Sequence, residues 1–160
     1  MIVKEFMTSP VVTCSHAATL GEAVSLMLAK RISILPIVDG EEKLVGVITE
    51  SDFVGKEKSV PHAFTNLRSL FGETFHMKDI EEIYLAAKPK KVIEVMSKNP
   101  VVVKPKSTLT EVVELMSAKN LKRLPVVDNE MVVGIITRKD LIKAFDLVSR
   151  KSTGRDIKYE

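Results

Sequence analysis

Apolar positions fall twice into the same helical spacing along this chain. Leu20, Ala23, Val24 and Met27 stand at i, i+3, i+4 and i+7, and Leu109, Val112, Val113 and Met116 repeat the interval. Such spacing predicts an amphipathic helix with one stripe toward a core. Thr19 with Glu22, and Thr108 with Glu111, supply a capping box at each helix start. A short β-type run precedes each helix, Val11 to Cys14 and Val101 to Val103. After each helix, Pro36 and Pro125 end the helical pattern. Proline is tolerated at the first position of a strand, so Ile37-Val38 and Val126-Val127 are predicted to begin strands. Asp39-Gly40 and Asp128-Asn129 accept positive φ and predict hairpins. The return strands run over 44–48 and 131–136, and a helix follows each, from about Asp52 and from Lys139 to about Val148. The order in each half is β-α-β-β-α.

The two halves are copies. Residues 35–52 read L-P-I-V-D-G-E-E-K-L-V-G-V-I-T-E-S-D and residues 124–140 read L-P-V-V-D-N-E-M-V-V-G-I-I-T-R-K-D, one residue shorter at the turn. Residues 90–100 echo the lead-in 1–10, with Met96 matching Met7. Internal self-similarity takes precedence over local signals, and it divides the chain into a first repeat (1–56), a joining segment (57–89), a second repeat (90–148) and a polar tail (149–160) expected to fray. The class is α+β. About fifty residues form a marginal core alone, so the two halves are expected to bury apolar faces against each other. The joining segment holds two helical stretches, 64–71 and 78–88.

Composition adds mainly exclusions. Hydrophobic residues make up 45% and charged residues 28%, ordinary for a globular chain. A net charge of +3, from 24 basic and 21 acidic residues, is too small to argue for nucleic acid. One cysteine, Cys14, excludes an intramolecular disulfide and a cysteine-rich zinc site, and its apolar strand suggests a buried inert thiol. His16, His62 and His76 lack metal-ligand spacing. No apolar run reaches a membrane span, and the first residues lack a secretory apolar region, so a cytoplasmic location is expected.

Candidate chemistry gathers where a strand hands over to a helix, at Thr49-x-x-Asp52 and Thr137-x-x-Asp140. Threonine followed by an acid three residues on is first of all a helix cap. The same place attracts phosphate to backbone N–H groups, and a nearby carboxylate can accept two hydrogen bonds from a ribose diol. Gly46 and Gly134, three residues before each threonine, are expected to leave room for a ring or sugar. The second copy is the basic one. Lys122 and Arg123 stand where the first copy has Ser33 and Ile34, and Arg138 and Lys139 where it has Glu50 and Ser51. Arg123, beside a buried strand start, is the best phosphate clamp. No Walker loop, nucleophile elbow or His-Glu-x-x-His motif occurs.

The repeated capping box, the L-P-[IV]-V-D strand and the G-[VI]-I-T-x-x-D ending closely resemble a cystathionine-β-synthase (CBS) domain pair over residues 1–55 and 90–148. The resemblance implies two βαββα units related by a pseudo-twofold axis, with clefts between them, and a homodimer forming a disc of four units. It implies a regulatory ligand, AMP, ADP, ATP or S-adenosylmethionine, and no required cofactor. Asp52 and Asp140 would hold ribose hydroxyls, with Thr49 and Thr137 beside them. Arg123 and Lys122 would reach phosphates, with Lys139 opposite and Arg138 a weaker candidate. Backbone near Thr13, Cys14 and Val103 would pair with the adenine edge. The uncharged Ile34 and Ser51 put a second phosphorylated ligand in doubt. The expected function is a non-catalytic sensor signalling to a separate effector protein. The alternative is a ligand-free scaffold assembling through dimerisation; nucleic-acid binding ranks below it, and a phosphate-releasing or transferring enzyme lower still.

Overall fold

The computed structural model describes residues 1–50 and 80–153. The chain forms two compact units that cut across the sequence repeats: residues 12–100 make one, and residues 1–11 with 101–160 make the other.

In the first of these, β1 (Cys14–Ser15) runs parallel to β2 (Ile34–Val38). Next come antiparallel β3 (Leu44–Thr49) and β4 (Ser97–Lys98), in the order β1-β2-β3-β4. Helix α1 (Leu20–Lys30) begins at its capping box: Thr19 Oγ1 accepts from Glu22 N at 3.2 Å, and Glu22 Oε2 accepts from Thr19 N at 2.7 Å. Two short helices, α2 (Ile80–Ala87) and α3 (Val92–Val95), bring the chain back. Leu20 N donates to Lys90 O at 2.8 Å and Val92 N to Ala18 O at 2.8 Å, so residues 88–96 lie along the start of α1. Leu20, Ala23, Met27, Leu35, Ile37, Ile48, Val92, Val95 and Met96 share one core with buried Cys14.

The other unit repeats this plan with α4 (Leu109–Ala118), β5 (Arg123–Asp128), β6 (Met131–Thr137) and α5 (Arg138–Thr153). Here the lead-in takes the place of residues 88–96. Val3 N donates to Ser107 O and Lys4 N to Pro105 O, both at 2.9 Å, and Thr8 bridges Ile135. Val3, at 0% exposure, sits in a core with Leu109, Val112, Met116, Leu124, Val126, Ile136, Leu141 and Ala144. The apolar stripes of α1 and α4 are narrower than their spacing suggests, since Val24 is half-buried and Val113 is exposed.

Several local expectations are corrected. The prolines do not open their strands: β2 starts at Ile34 and β5 at Arg123, with Pro36 opposite Val47 and Pro125 opposite Ile135. The reason lies in which edge each proline faces. Val103 N donates to Pro125 O at 3.1 Å and Val127 N to Val103 O at 2.9 Å. The missing proline N–H therefore points to the Val103 side and costs the β5–β6 ladder nothing. Val11, Val12 and Thr13 are not strand, nor are Val101 and Val102; only Cys14–Ser15 and a single Val103–Val126 bridge form. In the longer hairpin the left-handed residue is Glu42 (φ 63°) rather than Gly40, because Asp39 Oδ1 accepts from Glu41 N and Lys43 N and fixes the loop. The shorter hairpin turns through Asn129 and Glu130 (φ 48° and 67°). The last helix runs on to Thr153, past the expected start of the tail, with Arg150 paired to Asp146 at 2.8 Å. The expected stretch 64–71 and the helix starting at Asp52 lie outside the described residues.

Candidate functional site

The handover from β6 to α5 collects the second-repeat candidates. Antiparallel register sets Arg123 opposite Thr137, and Arg138 N donates to Lys122 O at 3.0 Å. Arg138 Nε also donates to Leu121 O at 3.0 Å, holding that guanidinium against the strand entry. Lys122, Arg123, Thr137 and Arg138 are thus neighbours, with Lys139 exposed on the next residue. Arg123 is half-buried at the start of β5.

Asp140 is 3% exposed, the one buried polar or charged residue among those described. Its Oδ2 accepts from Thr137 N at 2.9 Å and Thr137 Oγ1 at 2.7 Å, while Asp140 N donates to Thr137 Oγ1 at 3.4 Å. The capping reading of Thr-x-x-Asp therefore describes the local geometry. Its Oδ1 accepts from Lys143 Nζ at 3.1 Å. Lys143 is not among the residues that the repeated motifs mark. Its spacing from Asp140, i to i+3 on a helix, was the available signal.

The first repeat shows the same handover as far as it is described. Thr49 closes β3 opposite Ile34, and Glu50 N donates to Ser33 O at 3.1 Å, matching Arg138 and Lys122. Asp52 lies outside the described residues. Thr13 is half-buried just ahead of β1, and Cys14 pairs with Ile37. Burial, and then the charge of Glu22, push the Cys14 thiol above its usual range. Val103 has its own N–H committed to Pro125.

Gly46 and Gly134 do not leave room for a ring. A Cβ on Gly134 would collide with the Met7 sulfur and stand 2.9 Å from Met7 Cγ. One on Gly46 would collide with the Met96 sulfur and stand 2.9 Å from Ser97 O. At each glycine a methionine side chain occupies the space a Cβ would take. Among the described residues no His, Cys, Asp or Glu cluster could hold a metal, and no helix is long and apolar enough to cross a membrane.

Both repeats place a helix between a short β segment and an antiparallel strand pair, and the second carries Thr137-x-x-Asp140 where β6 hands over to α5. The CBS domain model matches residues 3–58 and 92–147, and the chain belongs to the CBS-domain family. Inosine-5'-monophosphate dehydrogenase of Methanocaldococcus jannaschii is 36% identical over 154 residues, covering 94% of this chain. The chain spans only 25% of that enzyme's length. The solved structure of CBSX2 of Arabidopsis thaliana in complex with AMP superposes with a TM-score of 0.69 at 25% identity, over 93% of this chain and 98% of that one. The CBS domain pair of protein MJ0100, in complex with 5'-methylthioadenosine and S-adenosyl-L-methionine, gives 0.64 at 28% identity, over 92% and 98%.

Proposed function

We propose that this chain is a non-catalytic regulatory module whose second repeat binds an adenine nucleotide and signals to a partner protein. One observation carries the reading: a buried carboxylate, Asp140, stands at the start of α5, capped by Thr137, whose strand partner is Arg123. A carboxylate there suits a ribose diol, and strand-held cations suit phosphate. Related structures hold AMP or S-adenosyl-L-methionine, which supports an adenosine ligand. Asp52 and Thr49 would serve the first repeat, where Ile34 and Ser51 favour a less charged adenosine derivative. Ligand binding biases the module only by favouring one of two states. Ile142 and Phe145, 66% and 56% exposed on α5, support self-association as a homodimer.

Calorimetric titration with AMP, ADP, ATP and S-adenosylmethionine tests the reading on wild type and on Asp52→Ala/Asp140→Ala. Binding by wild type and its loss in the double variant are expected; failure of all four ligands removes the sensor. The closed Thr137–Asp140–Lys143 network favours one other reading, a ligand-free scaffold in which the carboxylate only caps its helix. That reading predicts a less stable double variant with no ligand response in either protein. Phe145→Glu is expected to shift the chain to monomer in sedimentation, and an unchanged mass would exclude α5 as the contact.

A further inference from the structure

The two oxygens of Asp140 have different duties. Oδ2 is fixed by the cap, at 2.9 and 2.7 Å from Thr137 N and Oγ1. Oδ1 meets Lys143 Nζ at 3.1 Å. The Asp140 side chain is 5% exposed, but that of Lys143 is 61% exposed. A buried carboxylate oxygen is costly to leave without a donor. The ammonium supplies one from a long, solvated stem that loses little by swinging away. One partner is held and the other is replaceable.

The geometry points to Lys143 as a displaceable stand-in for a ligand hydroxyl, setting how tightly the second repeat takes compounds with a vicinal diol. This rests on the proposed function above and adds its control. A ribose hydroxyl donating to Oδ1 takes over the hydrogen bond, though not the charge, and releases the ammonium to solvent, so binding is opposed by the pair it breaks. Three residues after Asp52 the first repeat has Gly55, and its nearest lysine is Lys56, one residue further on.

Adenosine separates these effects, because it carries no phosphate for Lys143 to attract. Calorimetric titration of adenosine into wild type, Lys143→Met, Lys143→Gln and Lys143→Arg reads the competition directly. Both Lys143→Met and Lys143→Gln are expected to bind adenosine roughly three- to tenfold tighter than wild type. Lys143→Arg keeps the ion pair and is expected within about twofold of wild type. Wild type that binds adenosine while both neutral variants bind equally or more weakly overturns the inference and leaves the sensor standing. No binding of adenosine or AMP by any of the four proteins removes the sensor and the inference together.

Discussion

The Met7 side chain lies on the bare face of Gly134, its Cγ 2.9 Å from where a Cβ would stand. Met96 does the same for Gly46, with the Ser97 carbonyl oxygen also 2.9 Å away. A flexible thioether can give way and a backbone oxygen cannot. Gly134→Ala is therefore expected to cost about 1–2 kcal/mol in denaturant unfolding and Gly46→Ala about 3. Adding Met7→Ala should recover part of the Gly134→Ala loss. Additive losses in that double variant would show that the two side chains do not share one space.

Thr137 supplies both donors to Asp140 Oδ2, one through its hydroxyl and one through its backbone, and its hydroxyl also caps the Asp140 amide. Thr137→Ala removes the hydroxyl alone. A loss of about 1–2 kcal/mol in chemical denaturation is expected, whereas an unchanged midpoint would mean the hydroxyl does not cap α5.

Hydrogen bonds from the Thr19 backbone, then from its side chain, hold the Glu22 carboxyl below its ordinary range; the Lys43 amide leads the same effect on Asp39. Each acid binds a proton more readily in the unfolded chain. Their contribution is present above the ordinary carboxylate range and is lost as pH falls through the lowered folded values. Glu22→Gln keeps the capping geometry without the charge. Its stability against pH, followed by circular dichroism, is expected to fall less steeply in that acid window than wild type; an identical slope would contradict the shift.

Cys14 is buried, and its thiol is pushed up first by burial and then by Glu22. Alkylation by iodoacetamide near neutral pH is expected to be much slower than for a free cysteine, because little thiolate exists and access is blocked. Rapid labelling of the folded protein would show an open site.

The helices were readable because their capping boxes and spacing are local: Thr19 and Glu22 lie within one turn. The tandem plan was readable because it is written twice. What escaped depends on contacts distant in sequence. Nothing near Gly134 announces Met7, although Met7 and Met96 matched by position. Nothing in β5 reveals that Pro125 faces the edge occupied by Val103. Asp140 illustrates both sides: Thr137 three residues earlier marked the cap, but its near-complete burial follows from α5 packing through Leu141 and Ala144 on the core. Lys143 is legible in principle, one turn from Asp140, but exposed lysines at helix spacing are common on solvated faces and do not by themselves mark a contact.

The first eleven residues belong with a body whose remaining parts begin at Val101. On the ribosome, residues 12–100 emerge as one unbroken stretch. The opening segment must wait, with Val3 uncovered, until α4 and β5 have been made. A fragment cut at the boundary between the repeats would therefore strand the opening eleven residues on the wrong piece, leaving the later half without the strap that seals its core.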